Sequence, residues 1–175
     1  MHSFSELIER CASFTLFHLT KTTEMITAEL QTSDATRLVK GVQMIRLQKA
    51  VMAVGMFSIF EAILQDHLNC ENEFIEIARI LETSSDKILL QKFSDYKNAI
   101  NVLKHGKGRS YDYLINRSDK LPFRIKLLGQ NLFDEGDVSE VTILVDVDDD
   151  FVMGCARVIE EVTKIMQSER PGSIT

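Results

Sequence analysis

Two prolines and eight glycines are all that the 175 residues contain. Such scarcity argues against a disordered chain, a collagen-like repeat and a turn-rich all-β sandwich. Cysteine is sparse too. Cys11, Cys70 and Cys155 lie far apart and fit no Cys-x-x-Cys spacing. An odd count without a secretory signal points to reduced thiols and a cytoplasmic location. The N-terminus, MHSFSELIER, carries acids early and has no apolar run behind a basic start, so no signal peptide is expected. The longest uncharged stretch, Ala50 to Phe60, is eleven residues. A bilayer needs roughly 20, so no membrane span and no membrane partner are expected. Internal repeats and low-complexity segments are also missing.

What remains is an ordinary globular composition, 45% hydrophobic and 26% charged. A chain of this length suits one domain and can bury about two-thirds of its unfolded surface without disulfides or metal. The net charge of −6 is unevenly spread. Lys97 to Lys126 holds eight basic and two acidic residues, whereas Asp134 to Asp150 holds eight acidic and no basic ones. Either the two blocks pair with each other, or the basic one faces an anionic partner.

Helical spacing dominates the pattern. Phe4, Leu7, Cys11, Phe14, His18 and Met25 recur near that spacing, with Ser3 and Glu6 as a capping box, so a first helix should run to about Leu30. Thr32, Ser33 and Asp34 form a turn. A long helix from about Ala35 to Leu68 follows, and its middle, AVMAVGMFSIFEAIL, is apolar on nearly every face, as expected of a central helix surrounded by others. Glu61 stands alone in that run. It either sits at an edge in solvent or faces a polar site.

A short helix is expected over Glu73 to Leu81. The next begins after Asp86, carries the stripe Leu89, Phe93, Tyr96, Ile100 and Leu103, and ends at Gly106 and Gly108. Ser110 should cap another short helix to about Asn116. Period-2 alternation appears only at Phe123, Ile125 and Leu127 and at Val141, Ile143, Val145 and Val147, which predicts a short antiparallel pair near 123–147 joined by a polar connection over 128–140. The last helix should start at Asp148–Asp150, with Val152, Cys155, Ile159, Val162 and Met166 facing the core. The expected fold is mainly α: an antiparallel bundle of five to six helices with a two-stranded β insertion. It forms a single domain over 1–168, with 169–175 as a tail.

The stretch YKNAINVLKHGKGRSYDYL, Tyr96 to Leu114, is the one constellation that looks like chemistry. Asn98, Asn101 and His105 share a helix face, flanked by Lys97 and Lys104 and followed by Lys107 and Arg109. Histidine can act as general acid or base near neutral pH, an amide can orient it, and the cations can stabilise charge on phosphate. A plainer reading is equally open: lysine and histidine in a last turn complement the helix dipole, and Gly106 is a simple C-terminal stop.

This stretch resembles the signature region of the HEPN superfamily, the higher eukaryotes and prokaryotes nucleotide-binding domains. The family motif is an arginine, a polar residue that is often asparagine, three more residues and a histidine. Asn101 matches the polar position and His105 the histidine, while Ile100 stands where the arginine is expected. Longer permitted spacings give Ala99 or Asn98 there. FSIFEAIL, with Glu61, resembles the family's second core helix. The resemblance covers about 35–114, with the last helix 149–168. It implies a small helical bundle that dimerises. In the family, arginine and histidine from two protomers meet to cleave RNA without metal, leaving a cyclic phosphate.

With the arginine missing, the resemblance implies a non-catalytic homodimer binding RNA, nucleotide or a protein partner. His105 and Asn101 would be the catalytic pair of the alternative, a metal-independent endoribonuclease of toxin or defence type. Lys97, Asn98, Lys104, Lys107 and Arg109 would hold the anion, and Glu61 would support them. A third reading is the acidic partner of a toxin–antitoxin-like pair.

No metal or cofactor is expected. Asp146, Asp148 and Asp150 mimic a calcium loop, but Phe151 stands where glycine is required and Arg157 where glutamate is. His67 and Cys70 lack a second ligand pair for zinc. HGKGRS lacks the Walker spacing, and no GxSxG elbow occurs.

Overall fold

A computed structural model describes residues 4–32, 36–68, 73–83, 86–127, 129 and 143–169. Six α-helices account for most of them: α1 (Phe4–Leu30), α2 (Thr36–Leu68), α3 (Glu73–Thr83), α4 (Lys87–His105), α5 (Arg109–Ile115) and α6 (Asp149–Glu169). A 3-10 turn over Ser118–Lys120 follows α5. Ring stacking of Phe4 on Phe60 and contact of Ile26 with Gly41 make α1 and α2 an antiparallel hairpin. Helix α6 packs against α1, α2, α3 and α4. Its anticipated core residues Val152, Cys155, Ile159, Val162 and Met166 are all buried.

Local chemistry explains the helix starts. Asp86 accepts from the Leu89 amide at 2.9 Å and caps α4, and Asp148 accepts from the Phe151 amide at 2.8 Å and caps α6. Asp149 then ties three helices together. It accepts from the Thr20 hydroxyl on α1 at 3.2 Å and pairs with Lys49 Nζ on α2 at 2.6 Å. Ser3, the polar connection apart from Gly129, Cys70 and the residues beyond 169 lie outside the described residues.

Two expectations need correction. The α1 stripe of Leu7, Cys11, Phe14, His18 and Met25 is exposed, and the core takes Ser5, Ile8, Ala12 and Leu16 instead. Helix α1 carries two apolar stripes, and the one with smaller side chains lets it approach α2 and α6 closely. Helix α2 is not enclosed either. Ala53, Met56, Phe60 and Leu64 are buried, but Met44, Leu47 and Val51 face outward. By length and composition, Thr36–Asp66 could cross a membrane, and 33% of its most apolar window is buried in the fold.

The β pair is a third correction. Among the described residues no strand forms. One antiparallel bridge joins Ile125 to Val145, with Lys126 N–H donating to Leu144 O at 2.8 Å and Asp146 N–H to Arg124 O at 3.0 Å. The alternation is real, since Phe123, Ile125, Val145 and Val147 are all buried. Among the described residues the bridge stays isolated: Pro122 has no N–H to add to it, and the Lys126 carbonyl accepts from the Tyr111 hydroxyl at 2.6 Å. Phe123 instead enters an aromatic cluster with Tyr96 and Phe151, ring centres 5.1–5.5 Å apart.

Candidate functional site

Helix α4 and its exit place the candidate residues. Gly106 ends the helix at φ 74°, and its N–H donates to Val102 O at 2.8 Å. A side chain at that φ would be strained, so glycine is the residue that lets the chain turn here. Gly108, by contrast, is extended and unstrained. The turn sets Lys107 and Arg109 just beyond Lys104 and His105, so three lysine or arginine side chains and an imidazole crowd one helix end. That end also carries the partial negative charge of the helix dipole.

Each candidate has a definite environment. His105, Lys107 and Arg109 are exposed, and none forms an ion pair or hydrogen bond among the described residues. Lys104 Nζ lies 3.9 Å from Glu61 Oε2, with each side chain 31% exposed. At that separation and exposure the pair holds Lys104 only loosely. Glu61 therefore sits at an edge of α2 and also faces the basic end of α4. Lys97 lies over the Phe74 ring of α3, 5.0 Å from its centroid. Asn98 spends its amide on the Ser94 carbonyl at 2.8 Å. Asn101 is half-buried on the face of His105, but no hydrogen bond joins them.

Ile100, at the arginine position of the resemblance, is 4% exposed and packs in the core. Ala99, a longer-spacing alternative, is fully buried, and Asn98 is tied to its own helix. None of the three registers presents a cation beside His105. None of the protein-family models, curated proteins or solved structures compared with the chain matches it. Function therefore has to be argued from the site itself.

The arrangement is a surface, not a cleft. His105 is exposed, and a groove of about 400 Å³ beside Lys104 is walled mainly by apolar residues of α2. Among the described residues no group of three His, Cys, Asp or Glu side chains could hold a metal ion. Exposed cations on a helix end suit an extended anion held by many weak contacts. They do not fix a nucleophile against a single bond.

Among the described residues the charge blocks meet where Arg124 faces Asp146. Arg124 donates to Asp146 through Nε at 3.0 Å and Nη2 at 2.8 Å. Asp148 and Asp149 are used by α6 and Lys49, and residues 134–142 lie outside the described residues.

Sequence reasoning missed a buried polar cluster that holds α4, α5 and the 3-10 turn together. Asp95, 3% exposed, accepts from Gln91 Nε2 at 3.0 Å, the Tyr113 hydroxyl at 3.1 Å and Arg117 Nε at 3.1 Å. Its only trace was a lone acid among apolar residues of α4. Arg117 lies 22 positions away, and no spacing rule links them. The cluster fixes α5 against α4 and so sets where Lys107 and Arg109 emerge.

Proposed function

We propose that the chain is a HEPN-like helical protein that binds RNA as a non-catalytic homodimer. One observation carries this reading. Lys107 and Arg109 stand exposed beside His105, with no partner among the described residues, while Ile100, at the motif's arginine position, is packed in the core. Charge for the backbone of a nucleic acid is on offer, but a preorganised clamp for a phosphate in flight is not. Lys97, Lys104 and the amide of Asn101 widen the same face. Glu61 lies near Lys104 at the edge of that face and leaves it free to move.

The exposed imidazole favours one alternative, a metal-independent endoribonuclease in which His105 is the acid–base group and Asn101 its neighbour. Lys97, Lys104 or Arg109 would then supply the missing cation. In that case wild type cleaves RNA in EDTA and His105→Ala does not. A partner-protein role of the antitoxin type would rest on the acidic residues 134–142, outside the described part. The free thiols Cys11 and Cys155 support a cytoplasmic setting. The packing of α2 against four other helices supports a role away from lipid.

The test is fluorescence anisotropy with a short single-stranded RNA as salt is raised. Each phosphate contact contributes roughly −0.7 to the slope of log affinity against log salt. Removing three cations in Lys104→Ala/Lys107→Ala/Arg109→Ala should flatten the slope by about 2 and weaken binding at least tenfold at low salt. Salt-insensitive binding, or none, overturns the proposal.

A further inference from the structure

Helix α2 has a second apolar face that the fold leaves open. Met44 is 62% exposed, Leu47 49% and Val51 56%. With half-buried Val54 and Ser58, they recur at alternating three- and four-residue steps, the spacing of a two-helix seam. Beside the seam runs the groove of about 400 Å³, walled by Leu47, Val51, Val54, Leu103 and Ile143.

Charge along α2 is segregated. Its cations Arg37, Lys40, Arg46 and Lys49 all precede Ala50, and its acids Glu61 and Asp66 both follow Phe60. On the seam side, Lys40 near the start of α2 and Asp66 near its end repel their equivalents in a parallel copy and attract them in a reversed one, whereas Arg46 and Lys49 point away from the seam and Lys49 pairs with Asp149.

We infer that α2 pairs antiparallel with α2 of a second copy, about a two-fold axis passing between Met52 and Ala53. In this register Val51 packs on Val54 of the partner subunit. Leu47 lies level with Ser58 of the partner subunit, and Lys40 reaches Asp66 of the partner subunit. Both Lys40 and Asp66 are exposed and free of ion pairs among the described residues. The interface is isologous, so every contact occurs twice and the assembly closes as a dimer. Lys104 forms part of the groove wall, which brings the basic end of α4 in each copy to the rim of one shared interface.

This inference deepens the homodimer in the proposed function and does not depend on RNA binding. Sedimentation equilibrium of the full chain tests it. Wild type should form dimers, and Val51→Glu, with an unchanged circular-dichroism spectrum, should weaken them by more than about tenfold. Lys40→Glu and Asp66→Lys should each weaken the dimer. The double variant Lys40→Glu/Asp66→Lys should return to within about threefold of wild type, because the exchanged charges pair again.

A wild type that stays monomeric to about 100 µM overturns the pairing. A double variant that fails to recover does so too. Dissociation by Phe14→Glu but not by Val51→Glu would place the interface on the exposed stripe of α1. RNA titration of the same samples separates the two readings, since a monomer with salt-dependent RNA binding overturns the pairing and the homodimer but leaves RNA binding standing.

Discussion

Arg117 grips Asp95 with two nitrogens, Nε on Oδ1 at 3.1 Å and Nη2 on Oδ2 at 3.3 Å. The carboxylate side chain is 4% exposed and the guanidinium 25%. Asp95→Ala should destabilise the fold by about 2–3 kcal/mol, because it leaves the Tyr113 hydroxyl and Arg117 without their acceptor and Gln91 with the Tyr113 oxygen alone. Tyr113→Phe should cost about 1 kcal/mol, having removed one of several donors. Urea unfolding gives the order. A larger loss for Tyr113→Phe than for Asp95→Ala would show that the cluster is not centred on the carboxylate.

Alkaline pH should weaken the fold in two stages. Burial pushes the Cys155 thiol well above its ordinary range, and burial also raises the Tyr96 phenol. Both groups ionise at ordinary values when unfolded, near pH 9 for the thiol and about 10 for the phenol. Above those values the unfolded chain has released protons that the folded chain keeps. Stability is therefore fully present below about pH 9, falls as the thiol window opens and falls further above about pH 10. Tyr113 shifts upward as well, with burial the largest cause, and adds to the second stage. Urea midpoints across this range should decline less steeply above pH 10 in Tyr96→Phe than in wild type. Identical slopes would remove Tyr96 from the account.

Thiol labelling should separate two cysteines sharply. Cys11 is exposed and Cys155 buried. In a Cys70→Ser background, a disulfide reagent at neutral pH should modify one thiol quickly and the second only on unfolding. Fast modification of both would mean that α6 opens readily.

At Gly154, α6 comes into close contact with the Tyr96 side chain of α4. A Cβ there would lie 2.6 Å from Tyr96 Cζ and closer still to the hydroxyl. Gly154→Ala should destabilise by about 1–3 kcal/mol through overpacking. Adding Tyr96→Leu, which shortens the opposing side chain, should make the alanine less harmful than it is alone. Thermal melts of the four proteins give the coupling. Simple additivity would place the strain elsewhere.

How much of this was legible in the sequence depends on the element. The α4 stripe reads correctly because a single apolar face must go inward: Leu89, Phe93, Tyr96 and Ile100 are buried. Caps at Asp86 and before α6 read correctly because a carboxylate at a helix start has one local job. Helices α1 and α2 mislead for a shared reason. Each carries two apolar faces, and periodicity does not rank them. The alternation around Ile125 gives the right inward side chains but not the isolated bridge, and no local pattern announces the hydroxyl on α5 that bonds the Lys126 carbonyl. Among the site residues, spacing places His105 beside Asn101 on one face. It does not show that Asn98 bonds back to its own helix or that Lys97 lies over Phe74.

The position of α6 in the chain has a consequence for synthesis. The four helices that enclose it all precede it. While a ribosome is still making the residues before Asp149, Tyr96 has no Phe151 to pack against, and α1, α2, α3 and α4 have no α6 between them. The emerging chain can form hairpins but cannot close its core. Completion waits for contacts of high sequence separation, such as Thr20 with Asp149. Translation that stalls before Asp149 should leave a sticky, protease-sensitive nascent chain.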